Sequence, residues 1–144
     1  MWSFFNGIYC ISLVSRDDKY TRSKTFFESL GIPVTYYRPT KHPISGLQGC
    51  FESHIHIINE AFDKGYSNVL IFEDDVSLSS SICDKEDLEN TVDKSISFMK
   101  ENDWDLFYFG GGHDIRKFKT KKTKYPGIYN VHNLCAHAYC VSRP

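Results

Sequence analysis

Three consecutive acids, Glu73, Asp74 and Asp75, directly follow the apolar run Val69-Leu70-Ile71-Phe72. A continuous apolar run bounded by polar residues predicts a buried strand, and ligands of open α/β sheets gather beyond the carboxyl ends of such strands. Glu73 and Asp75 are two residues apart, so on an extended chain both project to the same side. Carboxylates converging there repel each other and favour a hard divalent cation with oxygen ligands. Such a cation can in turn hold a diphosphate. The plainer alternative is a solvated acidic cap, and the position after a wholly apolar strand favours the site.

Other residues of chemical interest are scattered along the chain. Arg16, Lys19 and Arg22 follow the first apolar segment at steps of three, which spreads them over about 120° of one helix face. They can meet nucleotide phosphates or carboxylates, or simply face solvent; Arg16, beside the strand end, is the strongest candidate. Ser53 and His54 fall inside a helical pattern. His54 and His56 lie about 200° apart around that helix, so they share no metal. By itself His54 reads as a core histidine or a carboxylate's partner. Nothing around Ser53 resembles a nucleophile elbow, which excludes a serine hydrolase. Gly110-Gly111-Gly112-His113-Asp114 follows a strand, but the basic residues after it do not predict the helix that a dinucleotide fingerprint needs. Asp114, at that strand's outer end, is the candidate general base, whereas Asp105 beside Trp104 reads as structural. Arg116 to Lys124 holds six basic residues in nine and predicts a mobile, solvated loop. His137 stands alone in a late strand.

The elements that must position these residues alternate. Ile8 to Val14 predicts the first strand, and 17–30 a helix opened by Ser15 and Asp18 and closed by Gly31-Ile32-Pro33. Val34 to Tyr37 is a second strand. Residues 48–64 form a helix with Phe51, Ile55, Ile58 and Phe62 on its buried face. After the strand ending in Glu73, a helix over 84–102 turns Leu88, Val92, Ile96 and Met99 inward. Leu106 to Phe109 is another buried strand, and 128–131 and 136–141 are short ones. This order predicts one α/β domain over 1–144 with a mainly parallel sheet.

Composition narrows the function classes. The 144 residues are 41% hydrophobic and 15% aromatic, with 17 basic against 18 acidic side chains. That excludes disorder, and the near-zero net charge gives no basic field to recruit nucleic acid. No segment approaches the roughly 18 apolar residues of a membrane helix. The apolar start lacks the basic residues and cleavage site of a signal peptide. Five cysteines with no CxxC spacing form neither a zinc framework nor a disulfide scaffold. With no Asn-x-Ser/Thr sequon, a cytoplasmic setting is expected.

An ordered set of motifs carries a resemblance. Arg16-x-x-Lys19-x-x-Arg22 after a strand is followed by Gly49-Cys50-x-x-Ser53-His54 and by Leu70-Ile71-Phe72-Glu73-Asp74-Asp75-Val76. Trp104-Asp105-Leu106 and His137-Ala138-Tyr139 complete the series. Together, over about residues 8–142, they resemble glycosyltransferase family 25, which contains lipooligosaccharide β-galactosyltransferases and collagen galactosyltransferases. The resemblance implies an A-type, Rossmann-like glycosyltransferase fold and an inverting transfer of a hexose, galactose above all, from a UDP-sugar to a glycan or hydroxylated acceptor. It implies that Glu73-Asp74-Asp75 occupies the place of an Asp-x-Asp motif, with manganese or magnesium held by Glu73, Asp75 and a late ligand, His137. Arg16, Arg22, Ser53, His54 and Asp74 would then serve the donor, and Asp114 the acceptor proton. Family domains continue well past the position of Pro144, so a chain shortened on its acceptor side is also implied. Two other readings stand beside this one. A non-catalytic module derived from such an enzyme would bind UDP without turnover. A phosphoacceptor receiver domain would need a Lys ending its last strand, and Lys124-Tyr125-Pro126 misses that pattern.

Overall fold

The computed structural model describes residues 1–110, 121–130 and 137–143. Its centre is a five-stranded sheet in the order β2-β1-β3-β7-β4. The strands are β1 (Gly7–Ile11), β2 (Thr35–Tyr37), β3 (Asn68–Glu73), β4 (Leu106–Gly110) and β7 (Ala138–Ser142). β1 pairs in parallel with both β2 and β3. β7 runs antiparallel to β3 on one side and β4 on the other, so only β7 opposes the common direction. The mostly parallel α/β sheet expected from the sequence is present, with one reversed strand in it. Two dipeptides, β5 (Lys121–Lys122) and β6 (Tyr129–Asn130), pair separately as a small antiparallel ribbon.

Among the described residues three α-helices cover the two faces. α1 (Asp17–Leu30) and α3 (Lys85–Glu101) contribute Phe27, Val92, Ile96 and Met99 to a core with Ile8, Cys10, Leu70, Phe72, Ala138 and Cys140. α2 (Gly46–Asp63) contributes Ile57 and Ala61 to a second core with Tyr9, Val69, Ile71 and Tyr139. Strand alternation explains the division: even positions of β1, β3 and β7 face α1 and α3, and odd positions face α2. All of β3 from Asn68 to Phe72 is buried, as the apolar run predicts.

The helices start for different reasons. Ser45 accepts a hydrogen bond from Gln48 N and Asp84 one from Asp87 N, each satisfying an orphan donor of the first turn. The capping box expected from Ser15 and Asp18 does not form. Arg16 is the cap residue and its side chain makes no capping bond to the helix backbone, while Asp17 and Asp18 place negative charge in the first turn, where the helix dipole favours it. Gly31, at φ 68°, closes α1 in the left-handed conformation.

Three further expectations need correction. α2 is rotated from the predicted face: Ser53, His54, Ile57 and Ala61 are buried, whereas Phe51 and Ile55 are 65% and 40% exposed. Polar groups satisfied inside the fold outrank apolar ones there. Ser53 Oγ donates to Gly49 O at 2.6 Å, and His54 Nδ1 meets Tyr139 Oη at 2.8 Å. β4 is an edge strand with exposed or half-buried residues rather than a buried one. β1 stops at Ile11, although Ser12 N and Val14 N continue hydrogen bonding to Tyr37 O and Pro39 O.

Candidate functional site

β3 ends in Glu73 at the carboxyl edge of the parallel strands, where the turn after β1 and the amino-terminal half of α2 also arrive. Because β7 runs backwards beside β3, its start lies next to the end of β3. Glu73 N donates to His137 O at 3.1 Å, locking the two strand ends together. The reversed strand is therefore what carries a residue 64 positions later in sequence to the acidic cluster.

Three donor atoms converge there. His137 Nδ1 lies 3.0 Å from Glu73 Oε2 and 3.5 Å from Asp75 Oδ1, and ligand atoms of all three residues lie within 4.8 Å of one another. Asp74 is 9% exposed and points away from this triad toward Lys19, whose Nζ is 3.5 Å from Asp74 Oδ1 and 3.1 Å from Asp75 Oδ2. Three carboxylates against one ammonium leave two uncompensated negative charges when the histidines are neutral. Oxygen-rich donors with that excess suit a divalent cation, so the residues present fit the metal that the motif implies.

The neighbours fix the protonation states. Glu73 is held below the usual carboxylate range first by His54 and then by His137, against the opposing effect of burial. Asp75 is likewise lowered: burial pushes it up, but the Lys19 ammonium outweighs that. The same contact with Asp75 raises Lys19. All three groups stay charged at neutral pH.

The cleft beside the acids is lined by Arg16, Lys19, His42, Cys50, Ser53, His54 and Glu73-Asp74-Asp75, among others. Arg16 sits at its rim in a two-pronged pair with Asp18 at 2.8 and 2.9 Å. Arg38 braces the turn that carries Arg16 and Lys19. Its guanidinium donates to Leu13 O and Asp17 Oδ1 at 3.2 and 2.7 Å and covers the Tyr20 ring at 4.2 Å. Arg22 is exposed on α1 and has no place in this lining, so the structure does not bring it to the cleft with Arg16 and Lys19. His56 faces outward as expected, stacked on Tyr37 and paired with Glu60. Asp114 and the first part of the basic run, 116–120, lie outside the described residues.

The structure also gives roles to residues that the sequence ranked low or quoted only within a motif. Lys19, ranked below Arg16, is the cation that touches the acids. Tyr139 holds the His54 ring, and Cys50 Sγ lies 3.8 Å from Glu73 Oε1. Gly49 has a steric reason, since a Cβ there would fall 2.6 Å from His42 Cβ.

Two comparisons agree with this geometry. Over 94 residues the chain is 40% identical to procollagen galactosyltransferase 1 of Danio rerio, an alignment that covers 65% of this chain and 14% of that protein. The chain thus spans about a seventh of the length of that relative. Residues 36–128 match the family described as glycosyltransferase family 25, LPS biosynthesis protein, a span that includes Gly49-Cys50, Ser53-His54 and Glu73-Asp74-Asp75. With the match covering most of the chain, and the acidic strand end inside it, this protein belongs to glycosyltransferase family 25.

Proposed function

We propose that this chain binds a UDP-hexose, UDP-galactose first among them, at the carboxyl edge of its sheet and serves its inverting transfer to a glycan or hydroxylated acceptor. The observation that carries the reading is the convergence of Glu73, Asp75 and His137 at the end of β3, beside a cleft with Lys19 and Arg16 at its wall. The fold around it is compatible with the A-type glycosyltransferase class. Family membership and 40% identity to a galactosyltransferase support the reaction class and the sugar.

Each residue then has a distinct task. Glu73, Asp75 and His137 would hold a manganese or magnesium ion, which when bound supplies positive charge to the departing diphosphate. Arg16 at the cap of α1 and Lys19 in its first turn face the same diphosphate, where their charge is already in place and needs no reorganisation. Asp74 keeps Lys19 oriented through its carboxylate. Ser53 and His54 form the floor of the cleft from α2. Inversion requires a base on the acceptor side that takes the hydroxyl proton as the new glycosidic bond forms and UDP leaves. Asp114 is proposed for that task from its place after β4.

A labelled-donor assay tests the proposal. UDP-galactose is supplied with simple glycans or a hydroxylated collagen-type peptide, and release of UDP is followed together with the labelled product. Donor turnover that requires Glu73 and Asp75 supports an enzyme; UDP binding with no release of sugar to acceptor or water supports a binding module instead.

A further inference from the structure

The inner face of α2 carries two donors, Cys50 and His54, that are not ligands of the ion in the proposed reaction. Cys50 and His54 are four residues apart, one helical turn, so both side chains rise from the same face toward β3. Cys50 Sγ lies 3.8 Å from Glu73 Oε1, and His54 Nε2 lies 3.5 Å from the same oxygen. The three donor atoms all fall within 4.8 Å of one another. Ligands around tetrahedral zinc, with bonds of about 2.0–2.3 Å, stand roughly 3.3–3.6 Å apart. The two spacings to Glu73 Oε1, 3.8 and 3.5 Å, lie within a few tenths of an ångström of a tetrahedral edge.

His54 supplies an independent observation. It is 8% exposed, and its Nε2 is buried without a hydrogen-bond partner, although polar atoms in such positions are nearly always satisfied. Its other nitrogen, Nδ1, is held 2.8 Å from Tyr139 Oη. Without a metal Nε2 stands 3.5 Å from Glu73 Oε1; the tautomer in which Nδ1–H donates to the Tyr139 oxygen frees the Nε2 lone pair for a metal ion. Metal-binding imidazoles are oriented through the second nitrogen in this way.

We propose that Cys50 Sγ, His54 Nε2 and Glu73 Oε1 form a zinc site, separate from the oxygen-rich triad that uses Glu73 Oε2. A thiolate, an imidazole and a carboxylate select a borderline-soft ion over manganese or magnesium. Glu73 then serves two sites through its two oxygens and ties α2 to the end of β3. Binding releases the Cys50 proton to solvent, because the thiolate is the ligand. Before binding, partial desolvation and then the adjacent Glu73 raise that thiol above its ordinary value, so it is protonated at neutral pH. A fourth position remains for water.

The test uses the purified chain, stripped with a chelator and titrated with zinc alone. Alkylation by iodoacetamide is mapped by peptide mass, with exposed Cys83 as the internal reference. Bound zinc should slow alkylation of Cys50 by at least about tenfold and leave Cys83 unchanged, because coordination removes the free thiolate. Cobalt in place of zinc should give a sulfur-to-cobalt charge-transfer band. Cys50→Ser, at an exposed position, should abolish the band, whereas Asp75→Asn should keep both the band and the protection. That second variant separates this site from the proposed donor site, since it strikes the donor site alone. Equal alkylation of Cys50 with and without zinc would overturn the proposal and leave the trio as a hydrogen-bonded brace for Glu73. Persistence of the charge-transfer band in Cys50→Ser would overturn it as well.

Discussion

Replacing Tyr139 by Phe removes one oxygen from β7 and nearly nothing from the core around it. The ring is 6% exposed and packs 5.5 Å from the His54 ring and 5.9 Å from Tyr108, contacts that Phe preserves. What disappears is the 2.8 Å bond to His54 Nδ1. His54 is itself buried and cannot turn that nitrogen to water, so the change leaves a buried polar atom without a partner. Such a loss costs about 1–3 kcal/mol. A loss of about 2 kcal/mol is roughly a thirtyfold change in the folding equilibrium. Urea unfolding should show a lower midpoint at unchanged slope. The double-mutant cycle isolates the cause. In a His54→Leu background, Tyr139→Phe should cost almost nothing further, because the bond is already gone. An equal loss in both backgrounds, or a loss under about 0.5 kcal/mol in the native chain, contradicts the bond's assigned role.

Two further outcomes are expected. Gly49→Ala should displace the turn around His42, whose Nδ1 accepts from Ser45 N and Ile44 N, because the new Cβ would lie 2.6 Å from His42 Cβ; a destabilisation of about 1–3 kcal/mol in thermal melts and weaker UDP binding would follow. Burial pushes the Cys10 and Cys140 thiols up to about 12 from 9.0, so the unfolded chain loses those protons first as pH rises. Their stabilising effect is complete below pH 9 and is lost toward pH 12, the loss reaching about 3 kcal/mol for the pair by pH 10. Urea unfolding at pH 8 and pH 10 checks it: the Cys10→Ala, Cys140→Ala double variant should show a flatter alkaline limb, and parallel limbs would refute the assignment.

The acidic strand end was legible because β3 is apolar from Val69 to Phe72 and then changes to three acids without a break. α3 was legible for a similar reason: Val92, Ile96 and Met99 are buried where the apolar pattern puts them, and the one buried polar residue beside them, Ser95, donates to Thr91 O. α2 misled the same method. Its buried face is begun by Ser53 and His54, and hydropathy counts cannot see that a serine bonded to a carbonyl and a histidine bonded to a tyrosine are at home in a core. Cys50 and His54 at helical spacing were an available signal, but a search for CxxC and paired histidines passes over them. The choice of Lys19 over Arg16 as the contact to the acids depends on how α1 lies on the sheet, which no local pattern encodes. The reversal of β7 between β3 and β4 is a long-range choice too. Yet that reversal is what brings His137 to Glu73, so the late histidine could be assigned from the sequence only by resemblance.

The central claim is that Glu73, Asp75 and His137 hold a divalent ion on which binding of the nucleotide diphosphate depends. Calorimetric titration of UDP into the chain, with manganese and then with EDTA, tests it most directly. UDP should bind in manganese and lose most of its affinity in EDTA, and Asp75→Asn should weaken the manganese-dependent binding sharply without unfolding the chain. Equal UDP affinity in manganese and in EDTA would contradict the account.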